Sequence, residues 1–251
     1  LSYLLEIYKN KSGSIKIIPL VLLLFFLVSI LITGERSNTI KAFAGFFLLL
    51  FFLDYLKIKF RILFLLSFLT IFLVTVYQSD YLKIRYVNQL YNLFFKSDYQ
   101  AKQSLKLNQY LKIYKSGISV FKRNPVLGVG NKNYRIETCH KDRHNKYNYH
   151  CTTHPHQIYI EFLSEHGIVG SLISLSIFFF IIFRILRPII ENKNYIQIGA
   201  FIFVLVNFLP LIPSGAFFSD FNITFFMLNL SLMYAVSNKT NIFERNKFKG
   251  R

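Results

Sequence analysis

Residues 62–77 read ILFLLSFLTIFLVTVY, an apolar run without a charged side chain. A helix that crosses a bilayer needs roughly 20 mostly apolar residues, and this run approaches that length. Further mostly apolar runs lie at 17–33, 38–53, 168–186, 196–213 and 216–236. Because one soluble core in a chain of 251 residues would not bury them all, the sequence predicts an all-α, polytopic membrane helical bundle with about six spans.

The basic residues between the runs indicate how the bundle is oriented, since short cytoplasmic loops are enriched in Lys and Arg. The segments 1–16, 54–61, 184–195 and 237–251 carry three, three, three and five of them. The N-terminus is therefore predicted to lie inside. The chain then divides into three transmembrane helices (1–77), an external loop (78–157), three more transmembrane helices (158–237) and a basic cytoplasmic tail (238–251). Because it begins with Leu1 rather than Met, we expect further spans before it.

The predicted external loop is strongly basic, with 14 Lys or Arg residues against Asp80, Asp98, Glu137 and Asp142. Loops longer than about 60 residues cross the membrane regardless of charge, so the orientation stands. One interpretation is a solvated surface in a lysine-rich chain. The other is an anionic ligand, such as a lipid diphosphate or acidic head groups. The external position disfavours nucleic acid as a partner.

Local patterns divide this loop. Apolar residues at helical spacing predict an amphipathic helix at 103–123, lying on the membrane or over the bundle. They are Leu107, Tyr110, Leu111, Tyr114, Ile118 and Phe121. Asn124-Pro125 ends this helix, and VLGVG (126–130) adds a Gly-x-Gly turn that is, alone, a weak indication of a phosphate cradle. Another helix is predicted to begin near Pro155, with His154 or Thr153 as its N-cap.

Every histidine and both cysteines fall between 139 and 166. The histidines are His140, His144, His150, His154, His156 and His166. A zinc site and a disulfide are the alternatives for Cys139 and Cys151. No C-x-x-C or H-E-x-x-H spacing is present, and an external loop is an oxidising location. We therefore favour a disulfide over a metal site.

His154 and His156 are candidate catalytic residues. Near the positive N-terminal end of a helix an imidazole tends to stay neutral, and it can then act as a base near pH 7. The alternative is an N-cap or a surface histidine at the membrane interface. Arg36 follows the first span on the outer side, where a positive charge is disfavoured. Its planar guanidinium suits bidentate phosphate binding, and the alternative is an interfacial side chain.

Four elements occur in order along the chain: TGERS (33–37), NPVLGVGNKNYR (124–135), the two cysteines, and THPHQIYIEFLSEHGIVG (153–170). In this combination the chain resembles the O-antigen polymerase and O-antigen ligase superfamily over about residues 20–190. The similarity is greatest to polymerases with a THPHN motif, although Gln157 replaces its Asn and Tyr134 replaces the Phe before Arg135. Ligases also carry an arginine on the helix before the NP turn. None stands here before Arg123, which favours a polymerase.

The resemblance implies a metal-independent, inverting glycosyltransferase without a cofactor, in the bacterial inner membrane with its large loop periplasmic. It would polymerise undecaprenyl-diphosphate-linked oligosaccharide repeats of O-antigen or a similar surface polysaccharide. By resemblance, His156 is the base beside His154, and Arg36 and Arg135 bind the donor's diphosphate; which histidine is the base stays open. The expected partners are lipid-linked glycan donor and acceptor, membrane lipids and a chain-length regulator.

Three other functions fit parts of the sequence. An O-antigen ligase would use the same donor chemistry to transfer finished polymer to lipid A core or to a protein. A non-catalytic polysaccharide transporter subunit would carry ionisable residues near the middle of its spans, and the predicted spans contain few. A zinc-sensing membrane protein would use the histidine cluster.

Overall fold

The computed structural model describes residues 1–11, 17–54, 56–88, 91, 106–147 and 149–241, without the side chains of residues 106–108, His144 and Asn145. The basic tail beyond residue 241 lies outside this set. The elements assigned within the described residues are helices, as the sequence predicts. They are α1 (Ser2–Tyr8), α2 (Ile18–Ile32), α3 (Arg36–Phe52), α4 (Ile58–Gln78), α5 (Asp80–Lys83), a π-helix (Ile84–Asn88), α6 (Lys106–Arg123), α7 (Tyr134–Cys139), α8 (Lys141–Tyr147), α9 (Ile158–Asn192), α10 (Tyr195–Asn207) and α11 (Asp220–Ala235).

Two of these helices, α4 and α9, are long and apolar enough to cross a membrane. Helix α9 is interrupted by a kink at Gly167, whose φ of +63° and ψ of −169° are not helical. Helices α2 and α10 are apolar but shorter. Large apolar side chains on α4 and α9 are exposed, for example Leu73 at 58% and Phe180 at 63%. Such side chains are stable against lipid and unfavourable in water. A helix covers most of each predicted span, and the number that cross stays a prediction.

The fifth apolar run departs from its predicted extent. The sequence predicts a span at 196–213, but α10 ends at Asn207 and α11 begins only at Asp220. Pro210 and Pro213 interrupt the run, because a proline lacks the N–H of the helical ladder and disfavours the helical conformation of the residue before it. The non-helical segment 208–219, here called the proline loop, replaces the short connection predicted between the runs at 196–213 and 216–236.

The chain forms two compact units. The first comprises the described residues of Leu1–Phe95, Arg184–Asn207 and Leu228–Arg251. Within it α10 packs beside α1 and α3. The buried Gln197 donates hydrogen bonds to the carbonyl of Met233 at 2.7 Å and to the hydroxyl of Thr240 at 3.0 Å. These bonds satisfy the NH2 group of the amide, which would be costly to bury without acceptors.

The second unit comprises the described residues of Lys96–Phe183 and Phe208–Met227. The predicted amphipathic helix is present as α6, but its buried face contains Ile113 and Val120, at 2% and 0% exposure. The predicted apolar residues Leu111 and Ile118 are exposed, on the opposite side of the helix. The buried face is selected by close packing at Gly117, where a Cβ would lie only 2.4 Å from the Ile160 side chain.

Candidate active site

The structure brings the two predicted catalytic histidines together. The ring centroids of His154 and His156 are 3.9 Å apart. The Nε2 atom of His154 lies 3.4 Å from the carbonyl oxygen of Ser214, and its Nδ1 lies 2.9 Å from the Thr153 hydroxyl. Because a carbonyl oxygen only accepts, Nε2 carries the proton and Nδ1 accepts from Thr153. His154 is thus held in one orientation as a neutral tautomer.

The surroundings keep both imidazoles neutral at pH 7. Burial lowers the pKa of His154 to about 4, with a further decrease from His156 and an opposing effect of the hydrogen bond to Ser214. Burial also lowers the pKa of His156, again against a hydrogen bond to Ser214. A neutral imidazole can accept a proton, which is the state that a general base requires.

His156 has an uncommon backbone conformation, with φ at +54°. Its carbonyl oxygen accepts the N–H of Ser214 at 2.9 Å, and its ring makes an edge contact with the Tyr110 ring at 5.8 Å. A non-glycine residue in the left-handed region costs conformational energy, and such residues cluster at functional sites. The contacts with Ser214 and Tyr110 hold His156 in this conformation.

The predicted start of the following helix is wrong. Helix α9 begins at Ile158 rather than near Pro155, and its cap is Gln157 rather than His154 or Thr153. The side-chain carbonyl of Gln157 accepts the N–H of Ile160 at 2.9 Å. The positive φ of His156 explains the difference, because a right-handed helix cannot include it. Both imidazoles therefore precede the N-terminus of α9, and the amide of Gln157 serves as a cap.

Sequence analysis did not identify the groups that hold the histidines. The carboxylate of Glu161, 1% exposed, accepts the N–H of Phe217 with both oxygens at 3.0 Å. This bond anchors the proline loop three residues after Ser214, which contacts both histidines. The hydroxyl of Tyr159 donates to the Phe208 carbonyl of the same loop at 2.6 Å. The sequence offered one signal for Glu161, namely a carboxylate at the start of an apolar helix. A carboxylate is seldom buried without a partner, so one in this position indicates a partner.

The NP-x-x-G-x-G turn packs directly on α9. The N–H groups of Val129 and Gly130 donate to the carbonyls of Ser164 and Glu165 at 3.0 and 2.8 Å. The N–H of Lys132 donates to the buried Glu165 carboxylate at 2.9 Å. These three donors are engaged within the protein, which makes the turn a structural joint and leaves them unavailable for the phosphate cradle that its glycines weakly indicated.

Cys139 and Cys151 form a disulfide in the structure, with a sulfur–sulfur distance of 2.03 Å. The bond joins the end of α7 to the segment just before His154. Both thiols are thereby consumed. Within the described residues, no group of three or more His, Cys, Asp or Glu side chains is arranged to hold a metal ion.

The predicted diphosphate-binding arginines lie in different units. Arg36 is the first residue of α3 in the first unit, where Arg85 donates two hydrogen bonds, at 3.2 and 3.1 Å, to the Gly34 carbonyl of the preceding turn. Arg135 is exposed on α7 in the second unit. Among the described residues no hydrogen bond or ring contact joins it to His154 or His156. Convergence of the arginines with the histidines stays a prediction.

Arg123 has a structural role. Its Nη1 donates to the buried Glu137 carboxylate and to the Tyr149 hydroxyl, each at 2.8 Å. Its guanidinium carbon also lies 3.6 Å from the centroid of the Tyr147 ring. Arg143 pairs with the second oxygen of Glu137. Arg123 therefore joins the end of α6 to α7 and to the segment before the disulfide.

A family model described as O-antigen ligase matches residues 20–175. The chain belongs to the O-antigen ligase family. The matched range includes the turn before Arg36, the glycine turn, the disulfide and both catalytic candidates. No curated protein and no solved structure matches the chain. As a member of the O-antigen ligase family, the protein is a membrane enzyme of the glycosyl-transfer type that acts on lipid-linked glycans.

Acidification is expected to remove the contribution of His154 to the stability of this O-antigen ligase family member between about pH 6.5 and pH 4. The pKa of His154 is about 4 in the folded protein and has its ordinary value of about 6.5 in the unfolded chain. In this window the unfolded chain binds more protons, so the contribution of His154 is complete above pH 6.5 and is lost as the pH falls. Thermal unfolding at several pH values should show that His154→Gln loses less stability between pH 6.5 and pH 4 than the wild-type protein does. An equal loss of stability in both proteins would contradict the lowered pKa of His154.

Proposed function

We propose that the protein polymerises undecaprenyl-diphosphate-linked oligosaccharide repeats of O-antigen or a similar surface polysaccharide, at the periplasmic face of the bacterial inner membrane. The observation that carries this proposal is the pair of neutral imidazoles in contact before the N-terminus of α9. Glycosyl transfer requires an acceptor hydroxyl to lose its proton, and a neutral imidazole is the side chain best suited to accept it near pH 7.

In the proposed mechanism His156 takes the proton of an acceptor sugar hydroxyl. The hydroxyl oxygen attacks the anomeric carbon of the donor from the face opposite the diphosphate, so the configuration inverts. The bond from that carbon to the diphosphate oxygen breaks, and Arg36 and Arg135 stabilise the negative charge that develops there. His154, fixed by Ser214 and Thr153, positions the ring of His156. The two guanidiniums thus stabilise the charge of the departing diphosphate, and no step requires a metal or a cofactor.

A ligase is the second candidate, and the description of the matching family favours it. A ligase would transfer finished polymer to lipid A core or to a protein with the same donor chemistry. Within the described part of α6 the first arginine is Arg123, and its guanidinium is engaged with Glu137 and Tyr149. The absence of an earlier arginine there supports the polymerase. The proposed partners are the lipid-linked donor and acceptor, membrane lipids and a chain-length regulator.

Deletion of the gene distinguishes the candidates through the banding of lipopolysaccharide on a gel. For a polymerase, the ladder is expected to collapse to a single repeat unit, because single units are still transferred. Complete loss of repeat units would indicate a ligase, and an unchanged ladder would contradict both. Purified protein should also extend a synthetic lipid-diphosphate repeat, which tests the chemistry without other cell components.

A further inference from the structure

A cavity of about 560 Å³ lies within the second unit, and neither catalytic histidine lines it. Lys112, Lys115 and Ser116 of α6 form one wall, and Tyr147, Tyr149 and His150 form another. The N–H of His150 donates to the Ser116 hydroxyl at 3.1 Å, which joins the two walls. The volume falls within the range of about 300–1,000 Å³ that is typical of small-ligand sites.

The cavity has a positive charge that the described residues do not neutralise. Lys112 and Lys115 are exposed and three residues apart on α6, so their side chains leave neighbouring positions on one face. Elsewhere Lys132 pairs with Asp220 at 3.0 Å and Lys193 with Asp54 at 2.6 Å. Among the ion pairs of the described residues, none includes Lys112 or Lys115. Two such ammonium groups at a cavity attract an anion.

The opposite wall presents the partly buried ring of Tyr147, which rests on Tyr149, a residue only 3% exposed. The centroids of Tyr147 and Tyr149 are 5.5 Å apart, with ring planes at 37°. Arg123 lies over the first ring and is hydrogen-bonded to the hydroxyl of the second. Rigid aromatic surface supplies contact area at a low cost in conformational entropy, and it suits the apolar faces of a sugar ring.

We propose that this cavity binds an anionic saccharide, namely a sugar ring with a carboxylate or phosphate substituent, within the glycan that the enzyme handles. The identification of the ligand as a substrate segment rests on the proposed function. Lys112 and Lys115 bind the anionic substituent, the ring of Tyr147 packs against the sugar, and Ser116 and His150 lie beside its hydroxyl groups. The cavity thereby selects acidic repeat units over neutral ones.

Equilibrium binding to the purified full-length protein in detergent tests this inference without turnover. The probes are a trimer of galacturonic acid, a neutral galactose trimer, glucose 6-phosphate and inorganic phosphate. The wild-type protein is expected to bind the acidic trimer about tenfold more tightly than the neutral one, a preference worth about 1.4 kcal/mol. The double variant Lys112→Gln/Lys115→Gln should lose this preference. The control Lys122→Gln/Lys141→Gln, which removes the same charge from exposed positions outside the cavity lining, should retain it.

Several outcomes would overturn the inference. Equal affinity for both trimers would show that the lysines do not select an acidic sugar. An equal loss of the preference in the control variant would show a general effect of net charge. Displacement of the acidic trimer by an equal concentration of inorganic phosphate would show that the site recognises a bare anion. By contrast, glucose 6-phosphate binding at least as tightly as the acidic trimer would support the inference and would identify phosphate as the preferred substituent. Repeat extension without selective binding would refute this site alone, and selective binding without extension or transfer would refute the proposed function alone.

Discussion

Replacement of His156 by Asn is expected to lower the rate of glycan chain extension by about 10²–10⁴-fold, while the protein still reaches the membrane. The change removes the proposed base. Asn also tolerates positive φ better than most residues, so the backbone at +54° can persist. His156→Ala would combine the loss of the base with backbone strain, which makes Asn the cleaner substitution.

The measurement is the initial rate of extension of a synthetic lipid-diphosphate repeat by purified protein. His140→Asn is a matched control, since His140 is an exposed histidine of the same predicted external loop and contacts Asp142 at 3.9 Å. It should extend at the wild-type rate. Extension by His156→Asn at that same rate would refute the assignment of the base. If His154→Asn were inactive and His156→Asn active, the two roles would be exchanged.

Gly167→Ala is expected to lower the free energy of unfolding by more than about 3 kcal/mol, enough to deplete the folded protein. Gly167 has a φ of +63°, and a Cβ there would lie 2.2 Å from the carbonyl oxygen of Val126. The contacting atom is backbone and cannot rotate away. That carbonyl accepts the N–H of Val169 at 3.2 Å, and the Pro125 carbonyl accepts that of Ile168 at 2.7 Å. Relief of the clash would break the joint between the glycine turn and α9.

Thermal unfolding in detergent and the yield of membrane-inserted protein measure this effect. Gly45→Ala in α3 is the control, because the atom nearest to a new Cβ is a methyl carbon of Ile202 at an ordinary 3.4 Å. Inside a helix, Ala is favoured over Gly by up to about 1 kcal/mol, so this variant should be at least as stable as the wild type. An unchanged unfolding temperature in Gly167→Ala would contradict the packing of the turn on α9.

The helices were predictable because long apolar runs are a strong, local signal. The errors arose where distant residues decide the outcome. The run at 196–213 is mostly apolar, and Pro210 and Pro213 are the residues in it that indicate a loop at its end. On α6 the periodicity predicts a helix correctly. The contact of Gly117 with Ile160 decides which apolar residues α6 buries. These two residues are far apart in the sequence, and the periodicity of one helix does not indicate such a contact.

In the candidate site, too, features with a local sequence signal were predicted and features that depend on distant residues were not. His154, His156 and the cysteine pair were predicted from their clustering in one short segment. Ser214 and Phe217, which position that segment, lie in a loop for which the composition predicted only a short connection between two spans, and Glu161 acts only through this loop. Such partnerships join residues 56 to 60 positions apart, and a single sequence contains no pattern for them.

The dependence of His154 on the proline loop has a consequence during translation. The ribosome makes Ser214 60 residues after His154, and at about 5–20 residues per second this delay lasts about 3–12 s. Throughout it, the nascent chain contains both imidazoles but not the carbonyl that orients them. In the proposed mechanism, a newly made enzyme therefore consumes lipid-linked sugars only after Ser214 has been synthesised and has reached His154.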